Sequence, residues 1–189
     1  MNLVYFDLET QRSIRDVGGI KNAAKLGVSI AVTYSTERGS YMIYGEDQMD
    51  ELIDELIKAD RVIGWNHLHF DLPVLEGYTV YDLASQTYNL DMMADLEKKV
   101  GARIGLNSAA SATLEMGKTA VGTDALIWWQ DYKKSGDKSH LMKIAEYCAF
   151  DVKVTKAVHE YAVEHGRIKY TARGNDAEIL EVEVDWEVK

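Results

Sequence analysis

The order of strand-like and helix-like segments in residues 2–64 constrains the fold more than any other feature. Apolar side chains alternate or cluster as strands require in 2–8, 26–33 and 40–44, with a turn at 37–39 between the last two. An amphipathic helix is predicted over 46–59, followed by a short buried strand over 61–64. Three antiparallel strands, a helix and a parallel strand predict an α/β fold in which helices flank a mixed sheet.

The middle of the chain is mostly helical. Helices are predicted near 91–100, 106–116 and 123–132, where glycines separate them. Asp137 or Ser139 is a suitable N-cap for a long helix that reaches about His165 and ends at Gly166. Asp91 precedes another helix, so we interpret it as an N-cap and leave open a secondary role in a site.

A β-hairpin is predicted at the C-terminal end, where 167–173 and 178–186 alternate with period two. With a three-residue loop at 174–176, apolar residues lie opposite apolar residues and basic residues opposite acidic ones, whereas a two-residue loop places apolar residues opposite charged ones. The predicted pairs are Arg167 with Glu183, Ile168 with Val182, Lys169 with Glu181 and Tyr170 with Leu180. We expect one domain, with residues 1–166 as its body and 167–189 as a hairpin extension of it.

Composition argues against membrane and disulfide-rich classes. The single Cys148 cannot form an intramolecular disulfide, no leader-like segment is visible, and no apolar run approaches the roughly 20 residues that span a bilayer. We expect a cytoplasmic protein without a membrane partner. The net charge of −10 argues against a polyanionic ligand, but 12 of the 31 acids lie in 46–55 and 176–187, which leaves 19 acids against 21 bases elsewhere.

Four carboxylates in three separate segments carry the strongest chemical signal: Asp7, Glu9, Asp71 and Asp151. Asp7 and Glu9 are two residues apart on a strand, so their side chains leave the same face. At about 4 Å they would repel by about 4 kcal/mol, a cost that bound Mg²⁺ or Mn²⁺ would turn into attraction. A solvated pair of acids at a strand end is the alternative. Tyr147 lies one helical turn before Asp151, a spacing that suits a shared site.

Together these segments resemble the DEDD superfamily of 3′-5′ exonucleases. Phe6-Asp7-Leu8-Glu9-Thr10 resembles the first motif of that superfamily, Asn66-His67-Leu68-His69-Phe70-Asp71 the second and Tyr147-Cys148-Ala149-Phe150-Asp151 the third. The tyrosine is typical of the DEDDy subclass, since the histidine subclass would need His where this chain has Glu146. The likeness is greatest to the proofreading exonuclease domains of family B DNA polymerases and spans about residues 2–165.

The resemblance implies a ribonuclease H-like exonuclease domain over residues 1–166 that releases nucleoside 5′-monophosphates from a 3′ end. It implies two ions, Mg²⁺ or Mn²⁺, with Tyr147 orienting the attacking water. The implied metal ligands are Asp7, Glu9, Asp71 and Asp151, and the implied substrate contacts are Leu8, Thr10 and Asn66. Substrates would be single-stranded or frayed DNA or RNA 3′ ends, and a protein partner would supply processivity to so small and acidic a chain.

Two other functions stay open on the sequence alone. One is a nucleic-acid-binding or assembly module with little turnover, in which the hairpin could be a docking edge. The other is an endonuclease on the same fold. No residue can be tied to a 2′-hydroxyl, so the preference between DNA and RNA is open as well.

Three sets of residues near the motifs are not assigned a catalytic or metal-binding role. His67 and His69 are expected on the surface and not as zinc ligands, with contact to nucleic acid as the lesser option. One of Trp128 and Trp129 should be in the core, while stacking on bases is a lesser option. Cys148 should pack beneath the site as a small apolar residue.

Overall fold

The computed structural model describes residues 1–115, 123–172 and 178–187. The strands are Leu3–Thr10 (β1), Val28–Ser35 (β2), Ser40–Tyr44 (β3), Arg61–Gly64 (β4), Asn89–Asp91 (β5), Arg167–Thr171 (β6) and Ile179–Glu183 (β7). The helices are Met49–Lys58 (α1), Asp71–Leu75 (α2), Leu83–Gln86 (α3), Met92–Val100 (α4), Leu106–Leu114 (α5), Thr123–Ser135 (α6) and Ser139–His165 (α7), with 3₁₀ helices at Ile20–Lys25 and Glu46–Gln48.

The main sheet has the strand order β3-β2-β1-β4-β5. Strands β1, β2 and β3 pair in antiparallel fashion, whereas β1, β4 and β5 run parallel. This arrangement confirms the predicted antiparallel start and the parallel strand after the first helix. The three-residue strand β5 was not predicted, because so short a segment shows no period-two pattern.

Apolar cores lie on both faces of the sheet, and β1 contributes to each. Val4, Phe6 and Leu8 belong to the core that also contains residues of α1, α2 and α3. Tyr5 belongs to the core formed with α5, α6 and α7. Because side chains alternate along a strand, Asp7 and Glu9 leave β1 on the same face as Tyr5, which is the face that α7 covers.

Helix α7 has the predicted ends. Lys138 is the N-cap and makes no side-chain capping bond, but Asp137, one residue earlier, accepts the backbone N–H of Ser139 at 2.9 Å, so Asp137 and not Ser139 is the candidate that serves the start of the helix. Gly166 ends the helix with φ of 68°, the left-handed conformation that favours glycine. In the described part of the chain, no helix has the length and apolar content that crossing a membrane requires.

The C-terminal hairpin has the predicted register, from Arg167 opposite Glu183 to Tyr170 opposite Leu180. The predicted loop at 174–176 lies outside the described residues. The edge of β6 that does not pair with β7 packs against α5. Two hydroxyl groups of α5 hydrogen-bond the backbone at this edge, as a neighbouring strand would. Ser108 Oγ bonds both N (3.1 Å) and O (3.2 Å) of Thr171, and Thr113 Oγ1 bonds both N (2.9 Å) and O (2.8 Å) of Lys169.

The segment after the hairpin is held against α7. Trp186 is buried, and its Nε1 donates to Asp95 Oδ2 at 2.8 Å. Its carbonyl oxygen is 3.0 Å from His159 Nε2, while His159 Nδ1 is 2.9 Å from the Tyr5 hydroxyl. A carbonyl only accepts, so Nε2 carries the proton and Nδ1 accepts from Tyr5. The neutral imidazole is therefore fully hydrogen-bonded, and burial lowers its pKa.

Candidate active site

Three of the four predicted carboxylates form a close group. Asp7 and Glu9 lie near the end of β1, and Asp151 lies on α7, which packs against that face of the strand. One oxygen from each of the three lies within 4.8 Å of those from the other two. All three are half-buried, so water or a small ion can reach them.

Asp71 stands directly beside this group. It is the first residue of α2 and is 3% exposed, and its Oδ1 accepts the backbone N–H of Leu8 at 3.1 Å. After burial, its charge is the largest cause of the raised pKa of Asp7. The structure thus brings all four predicted carboxylates to one end of β1, with Asp71 outside the tightest group.

The pKa values of the four carboxyl groups are raised, with burial as the first cause in each. The pKa of Asp7 lies well above its usual value because of burial and the charges of Asp71, Asp151 and Glu9. Burial and the charges of Asp151 and Asp71 raise the pKa of Glu9 to about 8. The pKa of Asp71 is raised to about 7 and that of Asp151 to about 6. Without a counter-charge, the group cannot ionise fully near neutral pH.

Tyr147 lies next to the carboxylates, as its spacing predicts. Burial and the charges of Asp151 and Glu9 raise its pKa, so the phenol keeps its proton. It hydrogen-bonds Asp151, and this bond lowers the pKa of that carboxyl group. The half-exposed ring of Trp128 packs edge-on against Tyr147 with 6.4 Å between ring centroids. Trp129 is the buried member of the pair, which confirms that one of the two tryptophans belongs to the core.

Cys148 packs beneath the site, as expected, and also contacts it. Its buried Sγ donates to the carbonyl oxygen of Asp7 (3.3 Å) and to Asp7 Oδ2 (3.4 Å). Burial and the charge of Asp7 raise the pKa of the thiol. Cys148 is therefore a neutral hydrogen-bond donor to the carboxylate and not a nucleophile.

Asp91 organises the loop that leads to Asp71. As predicted, it caps α4 by accepting the N–H of Ala94 (3.1 Å). It also accepts the N–H groups of Asn66 and Leu68, each at 2.9 Å. Asn66 has φ of 71°, an unusual conformation for a residue other than glycine, and the bonds to Asp91 help to fix it.

The surface interpretation was wrong for His67, which is fully buried, whereas His69 is exposed. His67 Nε2 bonds Asn89 Oδ1 at 3.0 Å, and its Nδ1 lies 3.8 Å from Asp91 Oδ2. The ring fits because Gly64 has no side chain, since a Cβ there would lie 2.8 Å from Nδ1. Its partners lie on β5, the strand that the sequence did not reveal, and burial lowers the pKa of His67.

The three predicted substrate contacts are placed differently from one another. The side chain of Leu8 is 3% exposed in the core on the opposite face of β1, so it cannot contact a substrate base, and only its backbone reaches the site. Thr10 is 8% exposed and donates its hydroxyl to the carbonyl of Arg12 at 2.9 Å. Asn66 is half-buried, and its Oδ1 accepts a hydrogen bond from Arg103. Arg103 was not predicted as a site residue, because the sequence around it contains no motif and only the nearby glycines Gly101 and Gly105 stand out.

The donor set fits a hard divalent cation. All the ligand atoms are carboxylate oxygens, which suit Mg²⁺ or Mn²⁺ better than softer ions. The raised pKa values come from burial and mutual repulsion, both of which a bound cation would offset. The geometry therefore supports metal-assisted chemistry at the end of β1.

Comparisons with known proteins agree with this fold. The structure is similar to the family B DNA polymerase of the hyperthermophilic archaeon Pyrobaculum calidifontis, with a TM-score of 0.62, 15% identity and coverage of 86% of this chain and 24% of the polymerase. It is also similar to zinc-bound E. coli ExoI in a complex with single-stranded DNA, with a TM-score of 0.49, 12% identity and coverage of 87% of this chain and 41% of ExoI. The chain thus spans less than half of either protein, and the likeness to the polymerase at 15% identity concerns the fold alone.

Among curated proteins, no significant sequence match is found. Residues 4–163, by contrast, match the model of one family, described as the RNase H superfamily. The matched range contains the sheet strands β1 to β5 nearly whole and all four predicted carboxylates. On this match and on its mixed sheet flanked by helices, the chain belongs to the RNase H superfamily.

Proposed function

We propose that this chain is a divalent-cation-dependent 3′-5′ exonuclease that hydrolyses single-stranded or frayed nucleic acid to nucleoside 5′-monophosphates. The observation that carries the proposal is the group of Asp7, Glu9 and Asp151, with oxygens within 4.8 Å and with Asp71 beside it. Membership of the RNase H superfamily and the fold shared with a family B polymerase support it.

Two divalent cations, Mg²⁺ or Mn²⁺, fit the four carboxylates in this proposal. When bound, they supply the positive charge that attracts a phosphodiester, acidify a water molecule and stabilise a departing oxygen. The chain supplies the ligands from three elements, β1, α2 and α7, whose packing fixes the relative positions of the acids before any cation binds. Such preorganisation means that cation binding costs little rearrangement.

Tyr147 is the residue that orients the attacking water. Its raised pKa keeps the phenol protonated, and its bond to Asp151 holds the hydroxyl at the carboxylates. A protonated phenol can donate to one group and accept from another, so Tyr147 can orient a water molecule toward phosphorus. Cys148 and the Leu8 amide act one step further out by holding Asp7 and Asp71.

Asn66 and Thr10 are the proposed contacts to the terminal nucleotide. Both lie on segments next to the carboxylates, and the loop around Asn66 is held by Asp91. The half-exposed Trp128, beside Tyr147, offers a flat apolar surface on which a base could stack.

The direct test is a 5′-labelled single-stranded oligonucleotide, as DNA and as RNA, with Mg²⁺ or Mn²⁺ and with excess chelator as the blank. We expect a ladder that shortens from the 3′ end, with nucleoside 5′-monophosphates as products. Asp7→Asn should remove the ladder, whereas Asp50→Asn, at an exposed acid on α1, should not.

Two outcomes would reject the proposal. Cleavage of a circular single strand would indicate an endonuclease, because an exonuclease needs an end. Binding of the oligonucleotide without turnover in either metal would favour a binding module.

A further inference from the structure

A cleft lies between the body of the protein and the C-terminal hairpin. Its volume is about 490 Å³. One wall is formed by the segment that joins α4 to α5, and the other by β6 and β7. The lining residues that matter here are Ala102, Arg103, Ile104, Tyr170 and Leu180. Tyr170 and Leu180 are cross-strand partners, so they form one continuous apolar surface.

Arg103 joins this cleft to the proposed active site. Its Nη2 donates to Oδ1 of Asn66, the residue proposed to contact the terminal nucleotide. Its Nε lies 3.7 Å from Glu97 Oε2, and its side chain is 50% exposed. A guanidinium has five N–H donors, so these two contacts leave donors for a phosphate oxygen.

A second contact fixes the cleft wall to the same loop. Trp65 Nε1 donates to the carbonyl oxygen of Ile104 at 3.0 Å. Trp65 and Asn66 are consecutive, so both bonds tie the segment around Arg103 to the end of β4. The spacing between the cleft and the loop that leads to Asp71 is thereby set by the fold.

We propose that this cleft binds a nucleotide of the substrate strand upstream of the scissile bond, with the base against Tyr170 and Leu180 and the phosphate on Arg103. This inference rests on the proposed function. A nucleotide is a flat base joined to an anionic phosphate, so it suits an apolar wall with a guanidinium at its edge. The hydrogen bond from Arg103 to Asn66 connects the cleft to the proposed active site. The hairpin lies beyond residues 4–163, so half of the cleft is an addition to the part that matches the superfamily.

The placement upstream follows from the order of contacts. Asn66 is assigned to the terminal nucleotide. Arg103 hydrogen-bonds Asn66 and also lines the cleft. A strand whose last nucleotide contacts Asn66 would meet Arg103 and the cleft with the nucleotides that precede it. The hairpin therefore acts in substrate binding and not in the chemical step.

The test compares two substrates on the full chain. One is a 5′-labelled oligodeoxynucleotide, and the other is the p-nitrophenyl ester of thymidine 5′-monophosphate, which has no upstream nucleotide. Arg103→Gln should raise the KM of the oligonucleotide about tenfold, the effect of losing one charged hydrogen bond. Ala102→Glu places a negative charge in the cleft that repels the phosphate, and it should raise KM by a similar factor. The ratio of kcat/KM for the oligonucleotide to that for the ester should fall by the same factor. Arg167→Gln, which removes one positive charge from the hairpin outside the cleft lining, is the matched control and should leave both substrates unchanged.

An abasic site moved along the oligonucleotide locates the subsite. In the wild type it should raise KM at an upstream position, and the Arg103→Gln chain should lose part of that penalty. An equal fall in kcat/KM for both substrates would overturn the proposal, since Arg103 would then act only through Asn66. An abasic penalty confined to the terminal position would overturn it as well.

A failure of the proposed function can be distinguished from a failure of the cleft inference. If the wild type turned over neither substrate with Mg²⁺ or Mn²⁺, the exonuclease assignment would fail. The cleft would still be tested by fluorescence anisotropy with a 5′-fluorescein oligothymidylate. A dissociation constant about ten times larger for Arg103→Gln than for Arg167→Gln would support it, and equal constants would overturn it.

Discussion

Asp7→Asn should abolish activity and at the same time stabilise the metal-free protein. Asn has nearly the shape of Asp, and its side-chain oxygen can still accept from the Cys148 thiol. The substitution removes one of the charges that repel Glu9, Asp71 and Asp151. A residue that is needed for function but opposes folding is expected where acids are held together for a cation.

The magnitude follows from the distance between the acids and from proton linkage. At 4.8 Å and an effective dielectric of about 20, one pair of carboxylates repels by about 3.5 kcal/mol. The pKa of Asp7 is raised, so the folded chain holds a proton that the unfolded chain releases, and stability falls as pH rises. For each proton that the folded chain holds and the unfolded chain releases, the free energy of unfolding falls by about 1.4 kcal/mol per pH unit. Relaxation of the site limits the gain at pH 8 to about 2–4 kcal/mol, or about 5–10 °C in melting temperature.

Thermal unfolding in chelator at pH 5 and pH 8 measures this gain. The advantage of Asp7→Asn over wild type should grow between the two values, whereas Asp50→Asn should match wild type at both. Saturating Mn²⁺ at pH 8 should reverse the order, because each ion bound at about 100 times its dissociation constant stabilises wild type by about 2.7 kcal/mol, and two ions together exceed the gain of about 2–4 kcal/mol from the substitution. If Asp7→Asn were less stable than wild type in chelator at pH 8, the carboxylates would not repel each other and the metal-site reasoning would be wrong.

Three further substitutions test neighbouring parts of the structure. Tyr147→Phe should lower kcat about 10²-fold with little change in KM, because the phenol orients the attacking water, and an unchanged kcat would remove that role. Cys148→Ala should move the acid limb of kcat/KM to higher pH, because the thiol lowers the pKa of Asp7, and an unmoved limb would contradict this. Trp186→Ala should cost about 3–5 kcal/mol in denaturant unfolding, since the side chain is 2% exposed, and the matched change at the 59% exposed Ile179 should cost little.

The sequence predicts those parts of the fold that local pattern determines. The hairpin register follows from side-chain pairing alone, because only one loop length places Lys169 opposite Glu181 and Tyr170 opposite Leu180. The end of α7 at Gly166 and the cap from Asp137 follow from backbone chemistry within a few residues. The convergence of the four carboxylates was expected only through the resemblance to a known family, since strand and helix patterns do not fix which ends meet.

What the sequence did not predict depends on contacts between distant segments. His67 is buried because Gly64 leaves space and because Asn89 and Asp91 come alongside from β5. The position of Leu8 depends on which face of β1 is covered by α1, and a strand buried on both faces does not reveal this. Arg103 reaches Asn66 only because the segment after α4 folds back toward β4.

The pH dependence of stability should separate the carboxylates from the buried histidines. The pKa values of His67 and His159 are lowered by burial, so the unfolded chain binds their protons more readily, and stability is lost as pH falls below about 6.5. The raised carboxyl pKa values act in the opposite direction, since stability is lost as pH rises toward about 8, the pKa of Glu9. Between about pH 6.5 and pH 8 the carboxylates contribute most of this dependence, so stability in chelator should fall there. Saturating Mn²⁺ should abolish that fall and leave only the histidine limb, with a plateau above pH 6.5. A fall above pH 6.5 that persists in saturating Mn²⁺ would mean that groups other than these carboxylates cause it.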